Sequence, residues 1–583
     1  MLKILGRYLW TYSHYVVVGV VVLFGQAMAE LNLPSLMGDI VNKGMVAGNT
    51  SIIWSSGFKM LGVTFISASC AIASSFFSSR LMMSVGRDIR HDLFGVVENY
   101  SLNEYESLGA ASLVTRVTND VVQIQMVVMM GFRFIIFSPI MCVGGLILAL
   151  GKDTELSYLF VVVIPIITLI IVIVAAKIIP KFTIMQKRID ALNLTMRESL
   201  TGIRVIRAFN RQGYEQARFE RANRELMDIS INVNLTMAMM MPIMMFLMNA
   251  TTIGIIWFGG VRVAQNSMNI GNMMAFMQYA MQIIMSFLMI AMMFVLVPRA
   301  QASAVRVLEA LDMKSSINDP DTPIMPSLRG VIEFRDVTFQ YAGSESPVLH
   351  EVSFKSGPGE TTAIIGGTGS GKSTIINLIP RFHDATEGEV LIDGVNVRDM
   401  AQAELRSKIG LVPQGAILFS GTISENIRYG KKDATDAEIE RAARISQAYD
   451  FIVAMPDGFD TMIAQGGTNV SGGQKQRLSI ARAVVRNPEI YLFDDSFSAL
   501  DFKTDAALRK ALKGETRQST VVIVAQRVSS IMDADRIVVL DEGRVVGIGR
   551  HNELLNTCEV YYEICSTQLS GEEMRRGGYI DAR

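Results

Sequence analysis

The stretch TTAIIGGTGSGKSTIINLI, residues 361–379, decides the reading of the second half of this chain. An apolar, β-prone run enters a glycine-rich loop and leaves it as a helix, and residues Gly366 to Ser373 fill every position of G-x-x-x-x-G-K-[ST]. Glycines at these places let backbone N–H groups curl around phosphates. Lys372 is then placed to reach the β and γ phosphates, and the Ser373 hydroxyl to ligate magnesium. A plain glycine turn needs neither the lysine nor the preceding strand. The alternating run VIEFRDVTFQY at 331–341 opens the same soluble domain as a strand.

Downstream, NVSGGQKQRLSIARAVV (469–485) sets Ser471, Gly472 and Gly473 at the start of an amphipathic helix, where a serine cap and free N–H groups make a second anion site. One mononucleotide seldom needs two such ends from one domain, so the second is free to serve a nucleotide held by another domain. Next comes NPEIYLFDDSFSALD (487–501), an apolar strand ending in Asp494 and Asp495, where an acidic group can position magnesium and the attacking water.

Working back toward the N-terminus, the chain changes character. Its 583 residues are 50% hydrophobic, with a mean hydropathy of +0.33, too long for one domain and too apolar for a wholly soluble protein. Apolar segments long enough to cross a bilayer follow the charged start MLKILGRYLW, read as an uncleaved first span, and recur near 57–79, 126–150, 156–176, 237–261 and 273–298. Lys3, Arg7, Arg80, Arg87, Arg90, Arg116 and the dense basic series from Lys177 to Arg224 place one side in the cytoplasm. Between spans two and three and spans four and five, charged helix-like stretches read as cytoplasmic extensions that turn at tips near Gly109 and Gly213. The proline-bearing stretch DMKSSINDPDTPIMPSLRG marks a linker, giving a membrane domain over 1–310, a linker over 311–330 and a soluble domain over 331–583.

The balance of 54 Lys+Arg against 55 Asp+Glu gives no polybasic excess, so nucleic acid is not an expected partner. Cys70, Cys142, Cys558 and Cys565 are too few and scattered for a disulfide framework and read as small hydrophobes.

These motifs, in this order, resemble a half-transporter of the ABC exporter family across the whole chain: six transmembrane helices with long cytoplasmic extensions, then an α/β P-loop ATPase domain, with ATP and Mg2+ as cofactors. The resemblance implies that Tyr341 stacks on adenine and that Gly366, Thr368, Gly369, Ser370, Gly371, Lys372, Ser373 and Thr374 form the Walker A loop. It makes Gln414 of GLVPQ the Q-loop glutamine and, with Ser373 and Asp494, a magnesium contact. Ser471, Gly472, Gly473 and Gln474 are the signature, Asp501 the D-loop aspartate, and the two tips resemble coupling helices. Hydrolysis in this family requires two such domains sandwiched head to tail.

Two departures fall on the hydrolytic atoms. Asp495 stands where the family usually has Glu, and Gln526 of VAQRVSS where it usually has His. Aspartate draws the carboxylate back by roughly 1 Å, a displacement that costs on the order of a hundredfold in a positioned reaction, and an amide is never cationic. Ahead of the signature the chain reads IAQGGTNV, where the family commonly has Glu-Arg-Gly. With binding loops and signature whole, the resemblance points to a heterodimer whose partner half-transporter carries the intact Glu and His, working in a bacterial cytoplasmic membrane on amphipathic or hydrophobic, multidrug-type cargo. Lipid or peptide export, and a nonhydrolytic ATP-binding regulator, are the alternatives.

For cargo, the spans offer Glu30 deep in the first and Gln278 and Gln282 in the sixth, polar groups costly to leave facing lipid. A bond to a neighbouring helix is the structural alternative for Glu30. Met273, Met277, Met281, Met285, Met289 and Met293 recur at a strict step of four. On a 3.6-residue helix that stripe drifts about 40° per step and winds around the surface. It suits either ordinary packing or a promiscuous apolar face.

Overall fold

The computed structural model describes residues 1–327 and 329–569, apart from the side chains at 2, 132, 294 and 295. It divides into two compact units. One holds Met1–Asn99 and Leu108–Met313; the other holds Tyr100–Ser107 together with the chain from Lys314 onward.

Among the described residues of the first unit, six helices are long and apolar enough to cross a membrane: Lys3–Met45, Thr50–Glu98, Ala110–Leu150, Tyr158–Thr201, Gln212–Ala264 and Ile270–Asp312. A bilayer core takes only about 20 helical residues, whereas the shortest of these has 41 and the longest 53. The excess forms the polar extensions. The sixth helix continues unbroken to Asp312, carrying Pro298 inside it.

Small residues let the helices approach. A Cβ on Gly38 would stand 2.9 Å from the Gly271 carbonyl oxygen, so the first and sixth helices touch through backbone, and the Gly271 N–H donates to Asn42 Oδ1 at 2.7 Å. Phe160 stacks on Phe276 at 5.0 Å, and the buried Tyr279 hydroxyl donates to the Leu31 carbonyl. Toward the cytoplasmic ends, buried Asp120 accepts from Ser303 Oγ at 2.8 Å and from Arg306 Nε at 2.8 Å, while Arg116 pairs with Glu309 at 2.8 Å. A buried carboxylate persists only with such partners.

One expectation about the tips needs correction. Gly109, at φ +74, does break the chain between helices Leu102–Leu108 and Ala110–Thr115. Gly213 breaks nothing: it lies in the first turn of the helix Gln212–Ala238. The second turn is made instead by Gly202, which ends the preceding helix, and by Asn210 at φ +51. Asparagine tolerates the left-handed region because its amide bonds locally, and a glycine within a helix costs only about 1 kcal/mol.

The second unit is built on two sheets. A four-stranded antiparallel sheet orders Leu349–Ser356, Ile332–Phe339, Glu387–Ile392 and Val395–Asn396. The larger sheet runs Arg544–Gly549, Arg536–Asp541, Thr361–Gly366, Thr520–Val524, Ile490–Asp494, Ile409–Val412 and is parallel apart from its first edge. Its inner strands are nearly continuous Val, Ile, Leu and Phe, as sheets covered on both faces require. Register sets Ile523 beside Ala363 and Val524 beside Asp494. Three loops, after residues 366, 494 and 524, therefore leave the carboxyl edge of adjacent strands, where open α/β sheets bind ligands.

Candidate nucleotide-binding site

The loop after Gly366 is shaped by glycine. A Cβ on Gly366 would stand 2.2 Å from the Leu540 carbonyl oxygen; Gly371, at φ +93, would meet Leu349 Cδ2 at 2.5 Å; Gly369 sits at φ +84. No other residue fits these three requirements without strain. The loop holds Lys372 Nζ against the Gly366 and Gly367 carbonyls at 2.9 and 2.6 Å. Burial pushes the ammonium below its ordinary range while Asp495 and Asp494 pull it back up. Ser373 Oγ donates to Asp494 Oδ1 at 3.1 Å, so hydroxyl and carboxylate already face one another as a magnesium pair requires.

Asp495 occupies a left-handed backbone position, φ +46, with its N–H bonded to the Val524 carbonyl at 2.9 Å. Burial pushes its carboxyl above the usual range; Ser498, the Gln526 backbone and the Gln414 side chain pull it down, aided by the Arg527 charge. Asp494 is pushed up by burial and by Asp495, and down by Ser373 and Lys372. Two neighbouring carboxylates opposed by one lysine leave net negative charge, and a divalent cation with a polyphosphate answers that arrangement.

A cavity of about 310 Å³ gathers Thr368, Gly369, Gly371, Lys372, Ser373, Thr374, Gln414, Asp494, Asp495 and Gln526, with Val348 and Val524 as apolar wall. A glycine cradle, a lysine, a hydroxyl and two carboxylates fit a magnesium nucleotide. Tyr341 stands beside it: its hydroxyl shares a hydrogen bond with Thr374 Oγ1 at 3.1 Å and its ring meets Phe339 edge-on at 4.8 Å.

Ser471 to Gln474 and Asp501 are not walls of this cavity. Ser471 caps the helix Gly472–Val485 reciprocally, its Oγ accepting from the Gln474 N–H and the Gln474 side chain accepting from the Ser471 N–H. A Cβ on Gly473 would stand 3.3 Å from the Ala499 carbonyl, which fixes the helix start against the segment following Asp495. Asp501 caps Phe502–Glu515, and the Thr504 N–H holds its carboxyl below the ordinary range.

In the first unit, Glu30 is half-buried and accepts from Gln26 Nε2 at 2.9 Å and from Ser67 Oγ of the second helix at 3.3 Å. Gln282 turns to the same place, donating to the Glu30 carbonyl at 3.4 Å and leaving its buried Oε1 without a partner. Gln278 lies on the exposed face. Among the described residues Glu30 has no cationic partner.

Residues not singled out from the sequence also gather here. Arg527, next to Gln526, donates to the Ser498 carbonyl at 3.2 Å; its charge was visible, its reach was not. Ser101, Asn103 and Glu104 of the first tip bond to Ser316 and His383 within the second unit, and no local pattern announces those pairings.

Comparison with known proteins agrees with this assembly. A family model described as the ABC transporter transmembrane region matches residues 16–287, and one described as ABC transporter matches residues 349–498. An uncharacterized ABC transporter ATP-binding protein of Mycobacterium tuberculosis is 40% identical over 573 residues, covering 97% of this chain and 98% of that protein. An ATP-dependent lipid A-core flippase of Syntrophus aciditrophicus is 33% identical over 511 residues, covering 86% and 85%. A solved bacterial Atm1-family ABC exporter with ATP bound superposes with a TM-score of 0.81 at 24% identity, over 96% of this chain and 98% of that one. That last likeness is one of fold.

Proposed function

The chain belongs to the ABC transporter family, as a multi-pass membrane half-transporter with a cytoplasmic ATPase domain, and from that premise we propose that it is the weakly hydrolysing member of a heterodimeric exporter. One observation carries the proposal: Asp495 and Gln526 both line the phosphate cavity, while every binding group there is intact. A site that keeps its lysine, hydroxyl and Walker B aspartate holds magnesium ATP. With the next carboxylate shortened and no imidazole, it hydrolyses slowly. The signature, outside that cavity, is free to complete the partner's site. In this reading Asp494, Ser373 and Gln414 hold magnesium, Asp495 orients water, and the tips at 100–107 and 202–211 carry closure of the ATPase domains to the membrane helices.

Purified alone in lipid nanodiscs, the chain is expected to bind magnesium ATP with ordinary affinity and to turn it over at least about a hundredfold more slowly than the complete two-chain transporter, since both sites of a forced homodimer carry the shortened carboxylate. Phosphate release measured beside nucleotide binding decides it. Vigorous hydrolysis by the partner-free chain would sink the heterodimer reading.

Amphipathic or hydrophobic compounds of the multidrug type are the proposed cargo. An apolar cavity of about 400 Å³ in the first unit, walled by Met130, Phe134, Phe182, Met240, Met241 and Met292, supports this, since flexible thioethers adapt to varied shapes. The likeness to a lipid A-core flippase favours a second reading with lipid cargo. Glu30, whose partners are neutral, is the proposed contact for a cationic group. Glu30→Gln is expected to weaken vesicle uptake of a cationic dye about tenfold while leaving a neutral analogue within twofold. Equal losses for both would make Glu30 structural.

A further inference from the structure

Several features invite an inference, and the one the contacts carry furthest lies at the first tip. The segment Tyr100–Ser107 joins the second and third spanning helices yet belongs to the compact unit of the ATPase. Two contacts hold it there. Ser101 Oγ shares a hydrogen bond with Ser316 Oγ at 3.0 Å, on the chain just past the sixth helix, and Asn103 Oδ1 meets His383 Nδ1 at 3.1 Å.

His383 is 2% exposed and sits at the centre of a packed group. Its ring meets Tyr341 edge-on, centroids 5.3 Å apart at 84°, and Phe339 at 5.4 Å. Tyr341 in turn bonds through its hydroxyl to Thr374 of the phosphate loop. Unbroken contacts thus run from Thr374 through Tyr341 and His383 to Asn103. Burial pushes the His383 imidazole below its ordinary range, against the pull of Glu106 and Asp384. A neutral ring has one donor and one acceptor nitrogen, and a single proton arrangement satisfies the bond to the Asn103 amide. Close-packed groups with one satisfied arrangement pass on small displacements instead of absorbing them.

We infer that His383 is the positioning residue through which occupancy of the nucleotide site is transmitted to the first cytoplasmic tip. The inference rests on the reading of Tyr341 and the phosphate loop as an ATP site. A base docked on Tyr341 fixes that ring; His383, packed against its edge, is fixed with it; and the bond to Asn103 then orders the segment that turns the chain between two membrane helices. His383 touches neither phosphate nor water and performs no chemistry.

The test uses the full chain in nanodiscs with magnesium ATP as the probe, reading nucleotide affinity and, separately, hydrogen exchange at amides 102–108. In the parent chain, saturating ATP is expected to slow exchange of the tip about tenfold, within the usual range of coupling between sites. His383→Phe keeps a ring against Tyr341 and removes the bond; Asn103→Ala removes the bond from a short, partly exposed helix that leaves the core alone. Each is expected to abolish the ATP-dependent slowing with ATP affinity within about twofold, and the double variant to do no more than either single one, as two ends of one contact should. His383→Gln, which restores a side-chain amide to Asn103 without the ring, is expected to recover less than half of the effect. ATP-dependent slowing retained in His383→Phe and Asn103→Ala overturns the inference, as does a double variant whose loss is the sum of two partial ones. Failure of the parent chain to bind ATP would overturn both the inference and the reading it rests on.

Discussion

Replacing Asp495 with Glu and Gln526 with His together is expected to raise ATP turnover at this chain's own site by roughly ten- to a hundredfold. The surroundings favour a gain. Asp495 is held by its backbone, in a left-handed conformation bonded to Val524, so a side chain one methylene longer extends into the cavity without moving the loop. The switch loop is braced independently of the residue 526 side chain: the Gln526 carbonyl accepts from Gln568 Nε2 at 2.9 Å, and the Val528 N–H donates to Gln568 Oε1 at 2.9 Å. An imidazole at 526 enters a frame that does not depend on the amide it replaces. Each substitution alone should give less than half of the gain on a logarithmic scale, because water positioning and charge stabilisation act in the same transition state. Phosphate release is to be followed in the two-chain transporter with the partner's own site disabled. Unchanged turnover with unchanged ATP affinity would show that the impairment lies elsewhere, and the altered IAQGGTNV stretch ahead of the signature would then be the place to look.

The nucleotide site was legible because its chemistry is local. Gly366 to Ser373 state their backbone demands and their functional groups within eight positions, and the alternating and apolar runs around them name the strands. Even there the sequence gave no hint of why Gly366 is obligatory: the reason is the Leu540 carbonyl, which only the pairing of two strands brings near. The membrane helices were legible in number and approximate position from hydropathy, but not in length, since the polar extensions continue each helix without a break. The winding of the methionine stripe followed from arithmetic. Met281 and Met285 are exposed where Met293 is buried. Glu30 was legible as an anomaly only, because its partners come from its own helix and two others. The Asn103–His383 contact spans 280 positions and leaves no periodicity to read.

The signature and the phosphate loop of this chain should respond to damage in opposite ways. In the proposed heterodimer, Lys372→Ala is expected to lower ATP occupancy at this chain's loop at least tenfold while reducing total turnover by less than that, since the productive hydrolysis belongs to the partner's loop. Gly473→Asp is expected to reduce total turnover by about a hundredfold or more, the scale of removing a preorganised donor to transferring phosphate, with this chain's own ATP affinity unchanged. The side chain at 473 meets the Ala499 carbonyl on one side at van der Waals distance. An aspartate there must therefore turn outward, over the N-terminus of Gly472–Val485, where a carboxylate takes the helix-end N–H groups that a phosphate would otherwise use. Ser471 remains to cap the helix, so the loss is one of anion binding more than of folding, and Gly473→Ala, which adds bulk without charge, should cost about ten times less. Nucleotide occupancy at each loop, read by photolabelling with an azido nucleotide, and phosphate release together separate the cases. If Lys372→Ala were the more damaging of the two, the two sites would be working alike or in the reverse order, and the assignment of slow hydrolysis to this chain's loop would fall.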